Sequence, residues 1–229
     1  MISPSKVKLA ELCMARAVAA YGPEQIREPE SQAMAEGTRL HRVVQSYLRD
    51  GVVPKPTDFA AVRAIAATGL GPGSVDAADI ERVVLLPGAF GYVDYARPPN
   101  VVGDLKFTKT VRYQKAVNPY EDAQRLMYAV DTCYRTGAKS VLLHWVVTEF
   151  AGRNAVRIET TMLRSEATKA YAKRVLPIAD RLTNHLERGT DWRSEKVEKN
   201  PTACNLYPPN GCPCRLRGCR PPNSFARPK

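Results

Sequence analysis

The spacing of apolar residues changes character along the chain. From Ser5 to Tyr21, apolar positions at Val7, Leu9, Ala10, Leu12, Cys13 and Ala17 recur close to helical spacing, with Ser5 placed to cap and Gly22-Pro23 to stop. A second helix is predicted from Gln32 to Asp50, with Leu40, Val43, Val44 and Leu48 on one side and Gly51 as its stop. A third, Thr57 to Thr68, runs into the glycine-rich stretch Gly69 to Gly73. The period then shortens. Ile80–Leu86 is rich in Val, Ile and Leu, and Phe90–Ala96 and Val101–Phe107 follow, separated by Pro87-Gly88 and Pro98-Pro99-Asn100. They predict three strands in an antiparallel meander.

Helical signals return at Asn118-Pro119-Tyr120-Glu121, where Asn118 can cap, Pro119 suits the first helical position and Glu121 the first turn. That helix is expected to reach Arg135 and close at Gly137. Val141–Phe150 and Ala155–Leu163 predict two more strands, and Ser165–Glu187 a long final helix. From Asp191 the chain is proline-rich, lacks helical periodicity and holds four of the six cysteines. The expected architecture is α/β, a small mixed sheet flanked by helices over residues 1–190, followed by a cysteine-rich tail over residues 191–229.

Composition narrows the class. The 229 residues are 44% hydrophobic, enough to bury a core. No apolar run approaches the roughly 20 residues of a membrane helix, and no apolar segment follows the charges of Met1–Lys8. A soluble, cytoplasmic protein is expected. Lys and Arg number 34 against 23 Asp and Glu, a net charge of +11. An excess of this size points to a polyanionic partner, most often nucleic acid; the competing explanation is solubility or a basic tail.

The candidate chemistry lies on the predicted strands. Phe90-Gly91-Tyr92-Val93-Asp94 ends one strand with a carboxylate, and Gly103-Asp104-Leu105-Lys106 places a carboxylate and a lysine on the next. Residues two apart share a strand face, so Asp104 and Lys106 point one way and Leu105 the other. An adjacent antiparallel strand brings Asp94 beside Asp104. Paired carboxylates suit Mg²⁺ or Mn²⁺, and a lysine beside them can orient water or stabilise charge on phosphate. A lone Asp-x-Lys is usually a solvated strand edge. Here it has company: Glu36-Gly37-Thr38-Arg39-Leu40-His41 upstream on a helix, and Gln124 and Tyr128 at i, i+4 on the next helix. His144, inside an apolar strand, reads as structural. Lys109 and Arg112, just past the site strand, are candidate phosphate contacts, a solvated loop being the alternative.

Gly-x-x-x-His, Gly-x-x-Asp, Asp-x-Lys and Gln-x-x-x-Tyr in this order resemble the RecB-type branch of the PD-(D/E)XK nucleases. The resemblance covers roughly residues 5 to 220. It implies that His41, Asp94, Asp104 and the Leu105 carbonyl hold the divalent metal, that Lys106 serves the hydrolytic water, and that Gln124 and Tyr128 contact DNA or brace the site. It also implies exonuclease action on single-stranded or frayed DNA ends, in recombination, repair or CRISPR adaptation, in a cell or a phage.

The cysteines bear on the same question. Cys204, Cys212, Cys214 and Cys219 fall within sixteen residues among Pro and Gly turns. In an intracellular basic protein that pattern favours metal over disulfides. One reading is a closed zinc site of four tail cysteines; the other joins three of them to Cys13 in an iron–sulfur cluster. The second resembles the AddB-type nuclease domains and four-cysteine CRISPR-associated exonucleases, in which a 4Fe–4S cluster staples the N-terminal helix to the tail. That likeness implies Cys13, Cys204, Cys212 and Cys219 as ligands, with Cys214 spare or in place of Cys212. Arg215, Arg217 and Arg220 would track the DNA backbone if the tail folds over the groove. Cys133 reads as a buried apolar residue. The rival to a nuclease is a catalytically silent nucleic-acid-binding or assembly subunit with a zinc tail.

Overall fold

The computed structural model describes residues 1–26, 31–111, 118–194 and 196–200. Its elements are α1 (Pro4–Leu12), α2 (Met14–Tyr21), α3 (Gln32–Asp50), α4 (Phe59–Thr68), β1 (Ile80–Leu86), β2 (Ala89–Arg97), β3 (Val101–Thr108), α5 (Ala123–Thr136), β4 (Ser140–Glu149), β5 (Ala155–Leu163), α6 (Arg164–Ala170) and α7 (Leu176–Glu187). The fold is mixed α/β, with one five-stranded sheet in sequential order flanked by helices. The chain divides into two compact units. One comprises residues 1–29, 87–89 and 174–229; the other comprises residues 30–86 and 90–173.

The larger unit holds the sheet. β2 and β3 are antiparallel, β3 and β4 parallel, β4 and β5 antiparallel. A parallel pair needs a long crossover, and α5 lies in that connection. One face of the sheet turns Tyr95, Leu105 and Val146 into a core with Leu40, Val44 and Leu48 of α3 and Ala60, Ala61 and Ala64 of α4. The opposite face carries Asp104 and, beside it in register, Trp145, whose ring centroid lies 6.4 Å from that of Tyr128 on α5. α3 stops where its sequence implies. Gly51 sits at φ 72°, a left-handed conformation in which glycine carries no side-chain penalty, and its N–H returns to Tyr47.

In the smaller unit, α1, α2 and α7 pack on one another, with Val7, Met14, Val18 and Leu182 buried. Ile2 bridges Ala89, and Glu11 pairs with Arg174 at 2.7 Å.

Three expectations are corrected. The helix foreseen over Ser5–Tyr21 is two helices, because Cys13 is extended (φ −162°, ψ 110°) between them. Asn118 caps only a single 3₁₀ turn, Pro119–Glu121. The helix begins after Asp122, whose side chain accepts from the Arg125 N–H. The helix foreseen over Ser165–Glu187 is interrupted by a π turn at Tyr171–Val175. Pro177 explains the break: it has no N–H to donate back to that turn, and the ladder widens just before it.

His144 on β4 is buried, its Nε2 3.7 Å from Glu159. Desolvation and the nearby Arg157 guanidinium lower its pKa, against the opposing charge of Glu159. The unfolded chain therefore binds a proton that the folded chain resists. This contribution is absent at high pH and becomes destabilising as pH falls through the unfolded value of about 6.5. His144→Gln should flatten the loss of stability between pH 7.5 and pH 5. Urea midpoints of both proteins at the two pH values measure this, and parallel lines would refute it.

Candidate active site

The β2–β3 ladder opens at the point where the acidic residues meet. Backbone pairing runs from Arg97↔Val101 to Tyr95↔Gly103 and goes no further. Beyond it the Leu105 N–H donates instead to Asp94 Oδ2 at 2.6 Å. Asp94 thus stands inside β2 rather than at its end, its carboxylate replacing a backbone acceptor. A strand residue's N–H and C=O share one edge, so the Leu105 carbonyl belongs to the same opened edge.

His41, on α3, places Nδ1 3.3 Å from Asp94 Oδ1. Burial pulls the imidazole pKa down, but the hydrogen bond and charge of Asp94, with Asp104 behind it, outweigh burial and leave it raised. Asp104 is 2% exposed. Burial pushes its pKa up, and the Lys106 ammonium only partly offsets that. Lys106 Nζ lies 2.7 Å from Asp104 Oδ2, yet Oδ2 has no hydrogen-bond partner of good geometry. Its contact is the short ion pair with the Lys106 ammonium. Desolvation lowers the Lys106 pKa, but Asp104 and Asp94 together raise it further, so the ammonium keeps its proton.

α5 supplies the other wall. Gln124 Nε2 donates to Asp104 Oδ1 at 2.7 Å and to the Tyr128 hydroxyl at 2.6 Å. The hydroxyl in turn donates to the Tyr92 carbonyl at 2.5 Å. One helical turn separates Gln124 from Tyr128, so both reach one carboxylate. Tyr128→Phe removes both an acceptor and a donor from a buried network. It should cost about 1 kcal/mol, read as a lower urea midpoint with unchanged slope; an unchanged midpoint would show the network to be slack.

Sequence reasoning missed three neighbours. Trp145 lies beneath two cations, its ring centroid 5.1 Å from Lys106 Nζ and 4.6 Å from Arg125 Cζ. Phe107 stands edge-on to His41 with centroids 5.3 Å apart, and Phe150 stacks on Phe107 at 6.5 Å. Phe107 lies three residues past Asp104, which was a usable signal. Trp145 and Phe150 gave none, because the parallel β3–β4 pairing that places them is a tertiary event.

The donor types present, two carboxylates, an imidazole and a main-chain carbonyl, are those of a hard divalent cation. The buried Asp104 Oδ2, lacking a directed hydrogen bond, is the atom such an ion would satisfy. Among the described residues, however, no three His, Cys, Asp or Glu side chains gather into a cage. They are paired with one another and with Lys106. Lys109 lines the cleft beside His41 and Lys106. Cys13 is a buried free thiol where α1 meets α2, and Cys133 is buried in α5. Arg112, Cys204, Cys212, Cys214, Arg215, Arg217, Cys219 and Arg220 lie outside the described residues.

No helix among the described residues is long and apolar enough to cross a membrane. No family model matches the chain, and no curated protein matches it. Among solved structures, the chain is similar to the crystal structure of a protein from Eubacterium rectale described provisionally as an exonuclease. The TM-score is 0.56, over 97% of this chain and 90% of that one, at 14% identity. At that identity the likeness is one of fold: the chain has a mixed α/β fold similar to that of the Eubacterium rectale protein.

Proposed function

We propose that this chain is a divalent-metal-dependent DNA nuclease acting on single-stranded or end-bearing DNA. The observation that carries the reading is the convergence of His41, Asp94, Asp104 and Lys106 on the opened β2–β3 edge. The similarity of fold to the Eubacterium rectale protein supports it, as does the net charge of +11.

His41, Asp94, Asp104 and the Leu105 carbonyl would hold Mg²⁺ or Mn²⁺. When bound, the ion supplies Lewis-acid polarisation of the scissile phosphate and a lowered pKa for water. The chain's own groups do the rest. Lys106, whose ammonium the two carboxylates favour, orients water and neutralises phosphate charge. Gln124 and Tyr128 hold Asp104 Oδ1 and so fix the carboxylate, leaving Oδ2 turned to the Lys106 ammonium. Trp145 confines the Lys106 ammonium from below.

We also propose that Cys13 joins Cys204, Cys212 and Cys219 in a 4Fe–4S cluster, Cys214 replacing Cys212 or standing spare. The alternative is one zinc on the tail cysteines. Anaerobically purified protein should carry about four iron per chain, lost in Cys13→Ala; about one zinc, unchanged in that variant, would refute the cluster.

The deciding experiment incubates end-labelled linear single-stranded DNA and a circular control with the protein in Mg²⁺, Mn²⁺ or EDTA. Loss of the linear strand only when metal is present supports an exonuclease, and loss of the circle as well makes it an endonuclease. Binding without cleavage under any metal refutes the nuclease and leaves a nucleic-acid-binding subunit.

A further inference from the structure

The cleft that reaches His41 and Lys106 has an aromatic floor. Its volume is about 490 Å³, within the usual range for small-molecule sites of roughly 300–1,000 Å³. Met34, Gly37 and His41 form one stripe of α3 along its wall, and Phe107 and Phe150 form the floor. The two rings are stacked at an interplanar angle of 30°. The Phe150 N–H donates to the Thr108 carbonyl at 2.9 Å, which anchors Phe150 at the strand end. Lys109 also lines the cleft.

Gly37 is the second clue. Glycine inside a helix costs about 0.5–1 kcal/mol relative to alanine. Folding does not require it here. A Cβ at Gly37 would meet nothing nearer than Phe150 Cε1 at 4.0 Å, and its backbone is ordinary helix. The missing side chain leaves a slot between α3 and the Phe150 ring. Met34, 61% exposed, flanks that slot with an adaptable apolar side chain.

We propose that this slot is a nucleobase-stacking subsite, which takes the base of a nucleotide adjoining the scissile phosphate. It rests on the reading of the site as a nuclease and names what that nuclease selects: an unpaired base. Every base has a flat apolar face, so an aromatic floor binds single strands with little regard to sequence. A base inside a duplex is not available to it. Lys106 and Lys109 line the same cleft and complement the phosphates of the strand. His41 lines the same cleft, which makes the subsite continuous with the acidic cluster.

The test measures binding and cleavage separately. Anisotropy of an end-labelled single strand in EDTA is compared with that of an abasic strand of equal length; quenching of a terminal 2-aminopurine reports stacking. The wild type should prefer the base-bearing strand by about 5- to 100-fold. Phe150→Leu should lose that preference and the quenching, and Phe150→Tyr should keep both. Gly37→Leu should fill the slot and abolish the preference while holding or raising the melting temperature, a combination that a misfolded variant would not give. Equal binding of both strands by the wild type, or full preference in Phe150→Leu, overturns the subsite. Cleavage of the base-bearing strand in Mn²⁺ is followed in parallel. Cleavage without base preference sinks the subsite alone. Base preference without cleavage sinks the nuclease and leaves the subsite.

Discussion

Lys106→Ala is expected to lower metal-dependent cleavage by at least about 100-fold, the usual consequence of deleting a charge-stabilising group from a desolvated site. Lys106 is the only residue that the proposed reading gives a protonated role beside the acids. With the ammonium gone, the buried Asp104 carboxylate loses the charge that holds its pKa down and takes up a proton at higher pH than before. The variant should therefore fail in two ways, with the turnover rate reduced and the pH for half-maximal residual activity moved upward. Single-strand affinity should change by only a few-fold, because one cation of a strongly basic chain is lost. Activity within tenfold of wild type would remove Lys106 from the proposed machinery.

The second large effect concerns a residue that touches no substrate. Gly103 pairs with Tyr95 across β2 and β3, and the Tyr95 ring lies over it. A Cβ at Gly103 would come within 1.8 Å of Tyr95 Cζ and 2.1 Å of Cε1. The ring cannot swing aside, since Tyr95 is fully buried among Leu40, Leu48 and Leu105. Overpacking commonly costs about 1–3 kcal/mol, and overlap of this depth places Gly103→Ala at or above the upper end. Its urea midpoint should fall sharply. Adding Tyr95→Leu, destabilising in the wild-type background, should give back part of the loss. That sign of coupling identifies the ring as the cause; simple additivity would contradict it.

These two sites differ in how far the sequence revealed them. Asp104 and Lys106 share a face by strand alternation alone, and Asp94 follows from antiparallel adjacency. Gln124 and Tyr128 follow from helical spacing. Local pattern sufficed for residues that share a face of one strand or helix, and for the backbone adjacency of neighbouring strands. Gly103 beneath Tyr95, Trp145 beneath Lys106 and Phe150 beside Phe107 depend on which side chains a twisted, mixed sheet brings together, and no local period encodes that. Helix ends show the same division. Gly51 and Gly137 announce themselves, whereas the break at Cys13 carries no residue signal. At α5 two competent caps, Asn118 and Asp122, lay four residues apart, and the sequence does not say which starts the helix.

The bond from the Leu105 amide to Asp94 makes one main-chain proton a spectator of the site. Its nuclear resonance should be displaced by the carboxylate it faces, and should move whenever Asp94 takes up another partner. A titration with Mg²⁺ or Mn²⁺ could then be followed through a single amide of the central strand, by its shift or its exchange with deuterium, with no DNA present. The strand that carries the acid and the lysine would itself record whether the site is engaged.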